Sequence, residues 1–161
     1  MDSNTDSRPF DAVLAEFARR WDQGSIRVET SASEKQITDF ERRYDVVIPD
    51  DLRRFLIHVG GMKELLYDEE FYHFNSLPEI APVTSVLPSL SSSEYEGYFS
   101  LCDYSICAYF WALRMTNERS DPAPVVFVRE GPKRAGDLIS ASFREFLTNY
   151  LCDWKLIWPS D

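Results

Sequence analysis

The sequence is poor in the residues and motifs that mark catalytic or metal sites. Its 161 residues include two histidines and three cysteines, and these form no CxxC, HxxxH or HExxH pattern. It contains neither a P-loop nor a GxGxxG motif, so no phosphate cradle is indicated. A tetrahedral zinc site would need four ligands that converge without a recognisable spacing. We therefore expect no cofactor, no metal and no enzymatic activity, although spacing alone leaves a Cys–His pair open.

The sequence also lacks the features of disulfide-bonded, membrane-spanning or secreted proteins. Cys102, Cys107 and Cys152 are an odd number among apolar or aromatic neighbours, which predicts reduced, partly buried thiols. The apolar runs are far shorter than the roughly 18 residues of a membrane span. Residues 1–7 are polar and acidic, unlike a secretory signal. These features predict a cytoplasmic protein.

Basic residues are outnumbered, and the formal net charge is -10. This sign disfavours a direct grip on nucleic acid phosphate and favours a basic protein partner. The alternative is that the acidity only keeps a soluble protein dispersed. Hydrophobic residues make up 44% of the chain and aromatics 14%, which is enough for the core of one domain.

The first part of the chain has the pattern of three amphipathic helices. Apolar residues recur with helical spacing over 10–22. A second helix begins at Ser33, where Ser33 and Gln36 have the spacing of a capping box. A third helix follows Pro49 and ends at the pair Gly60-Gly61, because glycine adopts a left-handed conformation at little cost. His58, next to the apolar stripe of this helix, is predicted to be partly buried.

The rest of the chain predicts strands and then a last helix. Strand candidates are 71–74, 98–101, 106–113, 124–128 and 137–140, with a Pro- and Ser-rich loop at 81–96 and a polar turn at 129–136. Ser142 and Glu145 have the spacing of a second capping box. The aromatic tail around Trp154 and Trp158 is expected to pack back onto the domain. This order predicts an α+β fold, a single domain with a mainly antiparallel sheet.

Three stretches, 33–41, 48–61 and 124–147, resemble the SUKH superfamily. The second contains Ile48-Pro-Asp-Asp-Leu and ends in Gly60-Gly61, and the third closes with Ser142-Phe-Arg-Glu-Phe-Leu147. The superfamily includes bacterial immunity proteins of polymorphic toxin systems and fungal cell-wall regulators of the Smi/Knr type. The resemblance implies one domain over 1–161 with a family-like core at about 33–147. It also implies that the protein acts by binding another protein. Residues 1–8 are predicted to be flexible.

A window without lysine or arginine spans residues 64–113 and is rich in carboxylates and aromatics. Carboxylates beside tyrosines suit a basic groove, since tyrosine buries area at low entropic cost. Phe71, Phe74, Phe99, Phe110 and Trp111 fall in strand-like runs and are predicted to be core. The expected partner-binding residues are Asp68, Glu69, Glu70, Tyr72, Glu94, Tyr95, Glu96 and Tyr98. An ordinary solvated surface is the alternative for these residues.

Three functions are compatible with the sequence. The first is an immunity protein that blocks the active site of a cognate toxin, with a basic nuclease as one candidate target. The second is a Smi/Knr-type regulatory scaffold that binds an endogenous protein. The third is an enzyme, which would need a cleft that joins His58 or His73 to a cysteine or to carboxylates. The sequence favours the first and gives no indication of the oligomeric state.

Overall fold

The structure, a computed structural model, describes residues 9–90, 93–129 and 136–160. The segment 1–8, predicted to be flexible, lies outside these ranges. So do residues 91–92 of the predicted loop and residues 130–135 of the predicted polar turn.

The described residues form an α+β fold built on a five-stranded antiparallel sheet. The strand order is β1-β2-β3-β4-β5, so each strand pairs with its neighbour in sequence. The helices are α1 Phe10–Gln23, α2 Glu34–Tyr44, α3 Asp50–His58, α4 Val83–Val86 and α5 Phe143–Cys152. The strands are β1 Tyr72–Phe74, β2 Tyr98–Tyr104, β3 Tyr109–Arg114, β4 Val125–Val128 and β5 Asp137–Ser140. The predicted fold class is confirmed. No helix within the described ranges is long and apolar enough to span a bilayer.

Local sequence signals define the helix ends, with one difference from prediction. The Gln36 amide donates to the Ser33 hydroxyl over 3.2 Å, and the Ser33 amide donates to Gln36 Oε1 over 2.9 Å. This capping box is therefore complete. At α5, the Glu145 amide donates to Ser142 Oγ, but the Glu145 carboxylate accepts from the Ala141 amide at 2.6 Å. The second box is thus shifted by one residue, because the carboxylate reaches past the Ser142 amide.

The glycine pair after α3 adopts the predicted conformation. Gly60 has φ +91° and Gly61 has φ +119°. A Cβ added at Gly61 would lie 2.7 Å from the Ser76 backbone nitrogen, so only glycine fits this close approach without displacement. The pair therefore ends α3 and directs the chain toward the sheet.

The inner face of the sheet, which we define as the face that carries Trp111, packs against α1, α2, α3 and α5. The Trp111 ring is fully buried, and its Nε1–H donates to the Ile157 carbonyl over 2.7 Å. Trp158 packs edge-on against Trp111, with ring centroids 5.2 Å apart. The C-terminal tail therefore packs onto the domain, as predicted.

The outer face is covered by the described residues of the segment 83–95. Val83, Leu90 and Tyr95 form a second buried cluster with Phe110 and Val128. Strands β3 and β4 are consequently buried on both faces, which suits their continuous apolar runs. Residues 81–96 were predicted as a loop; where they are described they contain α4 and two 3₁₀ turns, at 88–90 and 93–95. The physical reason is that their apolar side chains gain burial when the chain coils over the sheet.

Candidate functional site

The eight predicted binding residues lie in two separate groups. One group, 68–72, leads into β1, and the other, 94–98, leads into β2. Tyr72 pairs with Tyr104 at the end of β2, whereas Tyr98 is the first residue of that strand. At about 3.3 Å per residue, the two tyrosines are about 20 Å apart. The predicted set therefore does not form one surface.

Tyr72 and Tyr95 are core residues, which corrects their assignment to a binding surface. Tyr72 is 0% exposed, and its hydroxyl accepts from the Trp158 indole N–H. Tyr95 is 1% exposed, and its hydroxyl accepts from the Arg129 amide at 3.0 Å and donates to the Arg129 carbonyl at 3.1 Å. Burial raises the pKa of both phenols. Each ring fills one of the two buried clusters, so neither can contact a partner.

Asp68 is half-buried and shapes the loop that contains it. Its carboxylate accepts from the Tyr150 hydroxyl and from the amides of Glu70 and Tyr72, both at 3.0 Å. Burial raises the pKa of this carboxyl even though these hydrogen bonds act in the opposite direction. Asp68 thus has a structural role. The predicted residues that are left at the surface are Glu69, Glu70, Glu94 and Glu96, with Tyr98 partly exposed.

Glu69 and Glu70 line an open groove of about 610 Å³ between the 67–70 segment, α1 and α5. Arg20 lies on the α1 side of the groove, and its guanidinium pairs with Glu16 at 2.7 Å. Two exposed carboxylates thus border a cavity large enough for side chains of another molecule. The groove lies on the side of the molecule where the first group is found.

The first group belongs to a larger structure that we call the tip, made of residues 64–71 and the β2–β3 turn, 105–108. The Ser105 amide donates to the Phe71 carbonyl over 2.9 Å and joins the two segments. Buried Asp103 accepts from the Tyr67 hydroxyl at 2.8 Å and from the Cys107 amide at 3.0 Å. The tip is therefore held as one unit at the end of β1 and β2.

The tip has an unusual backbone. Seven non-glycine residues in the described ranges have positive φ, and five of them lie here: Leu65 (63°), Phe71 (69°), Ser105 (50°), Ile106 (56°) and Cys107 (62°). For a β-branched residue such as Ile106 this conformation is a genuine outlier. Leu65, Phe71 and Ile106 are 82%, 62% and 81% exposed. Phe71 was predicted to be core; its positive φ breaks the strand alternation, and β1 begins only at the next residue.

A buried ion pair lies directly beneath the tip. His73 Nδ1 is 2.6 Å from the Leu66 carbonyl oxygen, and Nε2 is 2.9 and 3.0 Å from the two Glu79 carboxylate oxygens. Both ring nitrogens lie within hydrogen-bond distance of acceptors, an arrangement that favours the protonated imidazole. Burial lowers the pKa of His73, but the Glu79 and Leu66 hydrogen bonds outweigh it and the pKa is raised. This pair fixes Leu66 and, through it, the first segment of the tip.

The arrangement around His73 does not have the features of a nucleophile site. Cys107 lies near Tyr67 and Asp103, and partial burial together with the Asp103 charge raises the pKa of its thiol. A catalytic cysteine needs the opposite shift, toward the thiolate. Both ring nitrogens of His73 are already in contact with oxygen atoms, of the Leu66 carbonyl and the Glu79 carboxylate, and neither faces Cys107. No cluster of three or more potential metal ligands occurs in the part of the chain that the structure describes.

Four other single-residue predictions can be compared with the structure. Cys102 is buried, as predicted, but Cys107 and Cys152 are exposed. His58 is also exposed, which corrects its predicted partial burial, because it points away from the apolar stripe of α3. Cys107 lies in the β2–β3 turn and Cys152 is the last residue of α5, and at these places side chains reach solvent.

Sequence reasoning missed Leu65, Phe71 and Ile106 as surface features. No local signal marks them, because leucine, phenylalanine and isoleucine rarely adopt positive φ. The only available hint is that a glutamate precedes two of them, Glu64 before Leu65 and Glu70 before Phe71.

Comparison with known proteins gives one match. The family model described as the SMI1 / KNR4 family (SUKH-1) matches residues 31–149, which is most of the chain. The matched range contains all three stretches that resemble the SUKH superfamily, and it contains the tip. No curated protein matches the chain, and no solved structure matches it.

Proposed function

The chain belongs to the SMI1/KNR4 family (SUKH-1), and from this premise we propose that it is an immunity protein that binds a cognate toxin and blocks its active site. The observation that carries the proposal is the family match over residues 31–149. A basic toxin, such as a nuclease, is the partner whose charge complements this chain, whose own net charge is -10.

The exposed carboxylates support a basic partner. Glu69 and Glu70 border the groove beside α1, in a window of sequence without lysine or arginine. A nuclease must hold phosphate and therefore has a cationic groove. Carboxylates at the rim of an interface mainly speed association and exclude wrong partners, and close packing supplies most of the affinity. We assign these roles to Glu69 and Glu70.

The geometry of the histidines and cysteines supports a protein that binds and does not catalyse. His73 is held between two acceptors, and the pKa of the Cys107 thiol is raised. The polar cluster at the end of β1 and β2 is thus used to fix the tip. In this mechanism the protein needs no cofactor, and inhibition results from steric occlusion of the toxin.

The test is co-expression in bacterial cells with the toxin domain encoded by the adjacent gene. We expect the immunity protein to restore growth and to co-purify with the toxin as a stable complex. The charge-reversal pair Glu69→Lys/Glu70→Lys should slow association by about tenfold and reduce its salt dependence. The matched control is Glu94→Lys/Glu96→Lys, which reverses the same number of exposed charges in the other predicted group.

Persistent killing without a complex would contradict the immunity function. The protein can also be tested against proteins of its own cell. A stable complex with one of these, and none with the adjacent toxin, would replace the immunity function with the regulatory-scaffold function. Equal slowing by the two charge-reversal pairs would leave immunity in place but contradict the role assigned to Glu69 and Glu70.

A further inference from the structure

We propose that the tip is the docking surface for the toxin, and that Leu65, Phe71 and Ile106 enter an apolar socket surrounded by lysine and arginine side chains. This inference rests on the proposed immunity function and deepens it. It names the contact residues, which are different from those that the sequence predicts, and the chemistry of the surface that receives them.

The first argument is the concentration of exposed apolar area. Leu65, Ile106, Leu138 and Phe71 are the four most exposed large apolar side chains in the described ranges, and three of them belong to the tip. Single exposed apolar residues are ordinary, but a grouped set at one end of a domain is typical of an interaction site. Leu138, which is 69% exposed, lies on β5 at the opposite edge of the sheet, away from the exposed apolar residues of the tip.

The second argument is that the backbone conformation displays these side chains at a cost. A non-glycine residue in the left-handed region is destabilised, and Leu65, Phe71 and Ile106 are all in that region. Within the domain these side chains remain mostly exposed and gain little burial in return. Contact with a partner would bury the three side chains and supply the compensation that the isolated domain lacks.

The third argument is that the display is pre-organised. The bond from the Ser105 amide to the Phe71 carbonyl joins the two segments, and the contact of His73 Nδ1 with the Leu66 carbonyl fixes the first one. A surface that is ordered before binding loses less conformational entropy when the complex forms. The tip therefore has the property expected of a tight-binding anchor.

Charge decides among the possible occupants. Glu64 precedes Leu65, Glu70 precedes Phe71, and Glu69 is exposed beside them. A second copy of this chain would bring carboxylates against carboxylates, and an anionic membrane would repel them. A protein with a cationic rim around an apolar socket satisfies both parts of the surface, and the proposed toxin is a protein of this kind.

The experiment measures binding of the purified full-length chain to the toxin domain encoded by the adjacent gene. The double variant Leu65→Asn/Ile106→Asn removes two anchors, and asparagine tolerates positive φ better than either original residue. We expect Kd to weaken by about 100-fold or more, since two central anchors are lost. We also expect the melting temperature to stay the same or to rise, so a folding defect would not explain the loss.

Leu138→Asn is the matched control, because it removes similar exposed area away from the tip, and its Kd should equal that of the wild type. If the wild type binds and the double variant binds equally well, the docking surface is wrong and the immunity function stands. If the wild type forms no complex, both the docking surface and the immunity function are contradicted. A concentration-dependent dimer of the wild type that the double variant abolishes would show that a second copy occupies the tip, and would overturn the proposal.

Discussion

On the inner face of the sheet, backbone conformation and burial agree: glycine takes the positive φ at the end of α3, and Trp111 is fully enclosed. At the tip they disagree, because Leu65 and Ile106 take positive φ and extend into solvent. The inner face is arranged for stability of the isolated domain. Departures from local rules concentrate where function is expected, so the comparison teaches where to look for a partner.

The largest expected effect is on the inner face. Trp111→Ala should lower the free energy of unfolding by about 3–5 kcal/mol, because it leaves a cavity and removes the hydrogen bond to the Ile157 carbonyl. Urea denaturation, monitored by circular dichroism, measures this loss in the free energy of unfolding. Tyr109→Ala, in the same strand but with a side chain that is 45% exposed, is the control and should cost less, because its ring packs against Phe127 and Trp158 but is not enclosed. Equal losses would contradict the division between the two regions.

The glycine after α3 gives the next largest effect. Gly61→Ala should destabilise the fold by about 2 kcal/mol, because φ is +119° and the new Cβ would meet the Ser76 backbone at 2.7 Å. Gly24→Ala is the control, since its nearest neighbours are at ordinary contact distance, 3.7 Å. The difference between the two melting temperatures tests the prediction. A Gly61→Ala protein as stable as the control would show that this approach is not tight.

The ion pair beneath the tip should make stability depend on pH. The pKa of His73 is raised in the folded state. Its contribution to stability is therefore complete below the ordinary histidine pKa of 6.5, and it is lost as pH rises through the folded-state pKa. The pKa of Glu79 is lowered in spite of burial, chiefly by its hydrogen bond with His73. The contribution of Glu79 to stability is complete above pH 4.5, the ordinary pKa of glutamate, and is lost as pH falls through its folded-state pKa. The pair therefore contributes most between about pH 4.5 and 6.5.

Subtraction isolates this contribution from that of other groups, such as Asp51 and Asp68, whose pKa values are raised by burial. The difference in unfolding free energy between the wild type and His73→Gln should be larger at pH 5.5 than at pH 8.5. Urea midpoints at the two pH values measure it. A difference that is independent of pH would mean that folding does not shift the pKa of His73, and a difference that is larger at pH 8.5 would mean that His73 is held neutral in the folded protein.

The smallest effect has the opposite sign. Ile106→Asn should stabilise the isolated domain by about 1 kcal/mol, because a β-branched residue is strained in the left-handed region and asparagine is less so. Leu138→Asn, which replaces an exposed residue of an extended strand, should instead destabilise slightly. Thermal melts of both variants sharpen the comparison, and destabilisation by Ile106→Asn would show that the turn is not strained.

Local signals were sufficient to predict much of the fold. Ser33 and Gln36 form the expected capping box, and the apolar run that contains Phe127 forms β4. These features depend on neighbouring residues or on a simple apolar pattern. Tyr72 and Tyr95 show the limit of such signals. Their composition suits an interface, but the sheet alternation directs Tyr72 inward, and Tyr95 packs with the outer-face residues of β3 and β4.

Apart from α4, the sequence by itself determined the order of helices and strands, together with the family resemblance and the excess of carboxylates. Each of these depends on residue type and spacing along the chain. Only the tertiary structure decided which side chains reach solvent at the tip and which predicted residues are buried. The reason is that positive φ at Leu65, Phe71 and Ile106 occurs against residue preference. It is stabilised by contacts such as His73 with Leu66 and Ser105 with Phe71, which join residues distant in the chain.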